Sequence, residues 1–125
     1  MSSPQIPPWL REQLTRFDQL QQTLQSIQIQ KQQIEVENFE LEKALKELEK
    51  TSEKDPVYKS TGTIMIRSNK ENLTKELNEN QELNKTKKNL LEKQETRTKD
   101  NLKELQEKID HSLKANNIDN TNPTI

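Results

Sequence analysis

From Ile6 onward, apolar side chains return every seventh residue in two interleaved rows, and this recurrence restricts the possible folds more than any other feature of the chain. One row holds Ile6, Leu20, Ile27, Ile34, Leu41 and Leu48; the other holds Leu10, Phe17, Leu24 and Leu45, with Gln13, Lys31, Asn38 and Ser52 filling the remaining sites. Alternating steps of three and four residues keep one stripe of an α-helix turned toward a partner helix, which is the seam of a coiled coil. The composition agrees. With 27% hydrophobic, 3% aromatic and 33% charged residues in 125, the chain cannot fill a globular core and must bury its apolar groups along such a seam. The same polarity would also suit a disordered chain, but there the apolar positions would not be periodic.

Breaker residues divide the pattern. Proline is tolerated in the first turn of a helix, so Pro7-Pro8 predicts a start near Pro8, and Asp55-Pro56 predicts an end before it. The first helix is thus expected over about residues 8–54. Ser68-Asn69-Lys70-Glu71 has the spacing of a capping box and opens a second helix over about residues 69–114, with a flexible tail expected at residues 115–125. The seam of that helix reads Leu77, Asn84, Leu91, Thr98, Leu105 and Ser112, joined by Leu102 and Ile109. The two helices are of nearly equal length, about 45 residues and about 70 Å each at ~1.5 Å per residue, which suggests a chain folded back on itself.

An antiparallel pairing makes partners share a constant residue-number sum. Setting Leu45 opposite Leu77 then places Leu20 at Leu102, Phe17 at Leu105, and Asn38 at Asn84, where two amides can hydrogen-bond and hold the register. The middle matches less well, with Lys31 near Leu91, Ile34 near Lys88 and Ile27 near Glu95. That section is expected to be looser, with long charged side chains laid over the seam.

Between the helices the period changes to two. Val57-Tyr58-Lys59-Ser60-Thr61 and Ile64-Met65-Ile66-Arg67 are rich in β-branched residues and flank Gly62-Thr63, a two-residue loop with glycine first, as a type II′ hairpin turn requires. In this register Val57, Ile64 and Ile66 share one face, while Tyr58 and Met65 share the other. A lone hairpin is marginal in water, and its two open edges call for further strands, most simply copies from other chains.

Composition and motif content argue against most other chemistry. Lys and Arg number 20 against 21 Asp and Glu, with signs interspersed, so neither nucleic acid nor an anionic membrane is an expected partner. Cysteine is absent, which suits a reducing compartment, and no signal peptide or membrane span is visible, so the expected location is the cytoplasm. His111 is the only histidine and lacks the companions that a zinc site or catalytic triad needs. Gly62 is the only glycine, so there is no phosphate-binding loop. Lys85, Lys87 and Lys88 form a small basic cluster without interleaved aromatics and read as helix surface. Phe39, Ile29 and Val36 fall off the seam, where single exposed apolar residues need no special role.

A Val57-Tyr58-Lys59-Ser60-Thr61-Gly62 hairpin strand between two heptad arms, with Ile64-Met65-Ile66-Arg67, Asn72-Leu73-Thr74-Lys75-Glu76-Leu77 and the glutamine-rich stretch 28–33, resembles the β-type subunits of the archaeal prefoldin family. The resemblance covers about residues 6–114. It implies a mainly α fold: a long antiparallel two-helix coiled coil with a single β-hairpin between the helices, the whole chain 1–125 forming one domain. It further implies a hexamer of two α-type and four β-type subunits whose hairpins pool into a β-barrel platform. Coiled coils project from the platform, and their tips hold unfolded client proteins that pass to a group II chaperonin. The expected activity is that of an ATP-independent holdase, not an enzyme, with no cofactor and no metal.

On that reading Val57, Tyr58, Ile64, Met65 and Ile66 are the oligomerisation residues. Client binding falls at the tip where both chain ends meet, on Ile6, Trp9, Leu10, Leu14 and Phe17 beside Ile109 and Leu113. Leu10 and Phe17 also occupy seam positions, so Ile6, Trp9, Leu14 and Leu113 are the stronger candidates. Trp9 has two readings, a staple on its own helix start or a contact with clients. A structural tether or adaptor would explain the heptads equally well but gives no reason for a hairpin with apolar residues on both faces. A nucleic-acid-binding arm lacks the basic excess.

Overall fold

The computed structural model describes residues 6–121, with side chains as far as residue 115. The order is helix α1 (Pro8–Glu49), strand β1 (Val57–Thr61), strand β2 (Ile64–Ser68) and helix α2 (Lys70–Thr121). The mainly helical architecture with one antiparallel hairpin between two long helices is therefore the one the heptads and the turn predict.

The ends of the elements have local causes. The Arg11 amide donates to the Pro7 carbonyl at 2.9 Å, so Pro8 takes the first helical position, where its missing N–H removes no bond. At the other end α1 stops at Glu49, short of the expected residue 54. The amides of Lys50 and Thr51 tighten onto the carbonyls of Glu47 and Leu48 at 3.2 and 3.1 Å. Ser52 and Asp55 then hold a turn of their own: the Ser52 amide donates to Asp55 Oδ2 at 2.8 Å and the Lys54 amide to Ser52 Oγ at 3.2 Å. Short polar side chains that satisfy nearby amides compete with helix continuation, and they end α1 before Pro56 can.

Helix α2 is capped by Asn69 and not by Ser68. Asn69 Oδ1 accepts the Asn72 amide at 2.8 Å, and the Asn69 carbonyl accepts the Leu73 amide at 3.0 Å. Ser68 is still paired with Val57 in the sheet, so its backbone is extended and the cap moves one residue on. Far from ending near Lys114, α2 continues to Thr121, so most of the expected flexible tail is helical. Asparagine in a helix costs only about 0.7 kcal/mol relative to alanine, and neither glycine nor proline intervenes before Pro123. Residues 122–125 of that tail lie outside the described residues.

The chain divides into two compact units, one of residues 30–92 and one of residues 1–29 with 93–125. The first, the hairpin unit, buries Ile34, Leu48, Leu91 and Asn84, with Leu41, Leu45 and Leu77 half-buried. Its antiparallel register is marked by Asn84 Nδ2 donating to Asn38 Oδ1 at 3.1 Å, the partnership expected from the Leu45–Leu77 alignment. The second, the termini unit, buries Ile27, Thr98, Leu105 and Ile109, with Leu10, Gln13, Phe17, Leu20, Leu24 and Leu102 half-buried.

The expectation of a loose middle is not reflected in burial. Ile27, at 4% exposure, is the most covered apolar residue of the termini unit, and Ile34 and Leu91 are both buried in the hairpin unit. Lys31, Lys88 and Glu95 are themselves half-buried. Ile27, Ile34 and Leu91 stay covered beside these half-buried long side chains, so a charge at a seam position does not open the seam.

Candidate binding surfaces

The hairpin is built around Gly62, whose φ of +60° is the left-handed value required at the first position of a two-residue primed turn. A Cβ there would meet no atom within 4 Å, so the need for glycine is one of backbone conformation alone. Pairing runs Val57 with Ser68, Tyr58 with Arg67, Lys59 with Ile66, Ser60 with Met65 and Thr61 with Ile64. Side chains paired across an antiparallel ladder share a face, so Val57, Ile64 and Ile66 lie on one side and Tyr58 and Met65 on the other.

Neither face is fully covered by the described residues of the chain. Tyr58, Ile64, Met65 and Ile66 are 52, 59, 69 and 48% exposed, and Val57 is half-buried. The sheet has two strands, which leaves each with one edge of unpaired backbone donors and acceptors.

Two lysines tie this region together, one joining the hairpin to α2 and the other joining the start of α2 to the end of α1. Lys59 Nζ donates to the Glu76 carboxylate of α2, tying the middle of β1 to that helix. Lys70 Nζ donates to the Thr51 carbonyl at 2.9 Å and reaches the Glu49 carbonyl at 3.5 Å. A cation there satisfies carbonyls that the end of α1 leaves without amide partners and complements the negative end of the helix dipole. Neither contact is visible in the heptad pattern, because each joins residues 17 or more positions apart.

In the termini unit the expected tip residues separate into three groups. Ile6 and Leu14 are exposed, Trp9, Leu10, Phe17 and Leu113 are half-buried, and Ile109 is buried in the seam. Ile109 is thus packed away in the closed structure, while Ile6 and Leu14 offer apolar surface directly.

Elsewhere, Ile29, Val36 and Phe39 are exposed as their off-seam positions predict, and Lys43 Nζ stands 5.6 Å from the centre of the Phe39 ring, a cation–π contact. The sequence reading missed Leu83 and Leu90, a heptad apart on α2 and both exposed. Their seven-residue spacing was the available signal. Leu83 borders an open groove with Glu37, Glu40, Leu41, Asn80, Asn84 and Lys87. Lys88 leaves the basic cluster to pair with Glu35 at 3.8 Å, and His111 is exposed. Among the described residues no group of three His, Cys, Asp or Glu side chains could hold a metal ion, and no helix is long and apolar enough to cross a membrane.

Two long helices that spend their apolar residues on a heptad seam, with further apolar side chains exposed on a two-stranded hairpin and in the termini unit, define a coiled-coil protein. A family profile described as prefoldin subunit matches residues 11–116. Prefoldin subunit beta of Pyrobaculum islandicum is 38% identical over 109 residues, covering 87% of this chain and 87% of that protein. The corresponding subunit of Thermococcus onnurineus is 38% identical over 109 residues, covering 87% and 94%, and that of Methanothrix thermoacetophila is 39% identical over 111 residues, covering 89% and 92%. The crystal structure of the prefoldin beta subunit from Thermococcus strain KS-1 matches with a TM-score of 0.74 at 35% identity, covering 89% of this chain and 97% of that one. The chain belongs to the prefoldin family, and is a chaperone subunit and not an enzyme. Ile6, Trp9 and Leu10 precede the matched span.

Proposed function

We propose that this chain is a β-type subunit of a cytoplasmic prefoldin hexamer, four copies joining two α-type subunits through a barrel of pooled hairpins. The observation that carries this reading is the hairpin itself, with apolar side chains exposed on both faces and both outer edges unpaired. Strands added from other chains would satisfy the edges and cover Val57, Tyr58, Ile64, Met65 and Ile66 together. Each residue 1–125 then belongs to one prefoldin domain.

The assembled particle acts as an ATP-independent holdase. It retains unfolded proteins on Ile6, Trp9, Leu10, Leu14, Phe17, Ile109 and Leu113 and delivers them to a group II chaperonin. Support for the location comes from the exposed Ile6 and Leu14 and the half-buried Trp9 and Leu113, all in the termini unit. Burying one large apolar side chain contributes only about 1.5–3 kcal/mol before ordering costs, so retention requires several subunits to engage one client. The test removes residues 1–10 and 113–125, verifies by sedimentation that the hexamer persists, and measures suppression of aggregation of an unfolded protein. Loss of suppression by the intact trimmed hexamer is the expected result; full suppression would move the binding surface elsewhere.

A further inference from the structure

Polar side chains at seam positions are treated differently in different parts of this chain. In the hairpin unit Asn38 and Asn84 bond to each other at 3.1 Å. In the termini unit Thr98 is buried, but its hydroxyl donates to the Gln94 carbonyl of its own helix at 2.8 Å. Gln13 has neither solution: its Oε1 is buried and has no hydrogen-bond partner. It lies three residues after Leu10 and four before Phe17, squarely in the seam row, and the residue-number sum of the asparagine pair puts it level with Ile109.

We infer that Gln13 is a built-in weak point that lets the seam of the termini unit part, uncovering Leu10, Phe17 and Ile109 for an extended apolar segment of a non-native protein. The inference rests on the client-binding reading above and explains how residues that are covered in the closed structure take part in it.

In the closed seam the Gln13 carbonyl oxygen forgoes the hydrogen bond it would make to water, and parting the helices restores that bond. The penalty is concentrated on the packed state. Glutamine is nearly as good a helix former as leucine, so the substitution that weakens the seam leaves α1 helical. Opening is therefore separation of the two helices along the seam, and each, once parted, lacks the packing that keeps its backbone bonds closed, so its amides exchange from the open state. An unpaired buried group of this kind shifts a local opening equilibrium without changing the remainder of the structure.

The isosteric variant Gln13→Met removes the amide and retains the volume. In the full-length chain within its native assembly, hydrogen exchange of amides in residues 10–20 and 102–112 is expected to slow by about ten- to hundredfold, with residues 38–48 unchanged. Suppression of aggregation of reduced, denaturant-unfolded lysozyme is expected to weaken. The sign is informative, because methionine adds apolar area and a static adhesive surface would bind more strongly. Unchanged exchange would overturn the inference, as would slowed exchange with undiminished suppression. If the trimmed hexamer described above loses suppression while Gln13→Met keeps it, tip binding stands and the opening step falls. If the trimmed hexamer keeps suppression, tip binding itself falls and the opening step loses its role.

Discussion

Replacing Asn38 and Asn84 by leucine, singly and together, tests the alignment of the two helices. Asn84 is 5% exposed and Asn38 half-buried, and their amides share one bond of 3.1 Å. Asn38→Leu strands the buried Asn84 amide, at a cost of about 1–3 kcal/mol that the half-buried leucine offsets only in part. Asn84→Leu buries a full leucine, for about 1.5–3 kcal/mol, but also breaks the bond; the remaining Asn38 is exposed enough to turn to water. The double variant loses one bond, about 0.5–1.5 kcal/mol net, and gains both burials, which leaves it about 1–3 kcal/mol more stable than the parent. The two substitutions should therefore couple by at least about 1 kcal/mol, well above the ~0.5 kcal/mol scatter of independent sites. Urea unfolding followed by circular dichroism, at one fixed subunit concentration because assembly contributes to apparent stability, measures all four proteins. A double variant less stable than the parent, or two effects that simply add, would refute the argument. What the asparagines give in return is register: a polar pair penalises any slipped alignment that sets one of them against leucine.

Two further outcomes follow from the hairpin unit. Ile64→Asp with Ile66→Asp places charges on a face that assembly would bury, and sedimentation should show the oligomer dissociating while helix content by circular dichroism is largely retained; an undisturbed oligomer would remove the hairpin from the assembly site. Lys70→Met deletes the bonds to the Thr51 and Glu49 carbonyls and should lower stability by about 1 kcal/mol, read as a reduced urea midpoint; an unchanged midpoint would show that water replaces the lysine without loss.

Placing Asp at Ile64 and Ile66 disturbs a region whose form follows directly from local patterns. Seven-residue recurrence, the alternation of residues 57–61 and 64–67, and one glycine where the turn needs positive φ determine helix, hairpin and helix, because each is a property of neighbouring residues. Even the register was legible, since the matching of Asn38 to Asn84 is a one-dimensional comparison of two rows. The prefoldin hairpin motif was legible for the same reason: it lies in one continuous stretch.

Features that depend on competition between alternatives were decided only in three dimensions. Whether α1 continues to Pro56 depended on whether Ser52 and Asp55 would satisfy backbone amides themselves, and the cap moved from Ser68 to Asn69 because Ser68 is held in the sheet by Val57. Lys59 and Lys70 look like ordinary surface lysines until chain reversal brings Glu76 and the end of α1 to them. The burial of Ile27 and Ile34 beside charged seam positions is an outcome of packing, with Lys31, Lys88 and Glu95 themselves half-buried. Gln13 is the clearest case: the sequence marks it as a polar residue in an apolar row, as it does Asn38. Only the packed structure shows that one of them finds a hydrogen-bond partner, while the carbonyl oxygen of the other does not, because a partner is a property of what lies across the seam and not of the row itself.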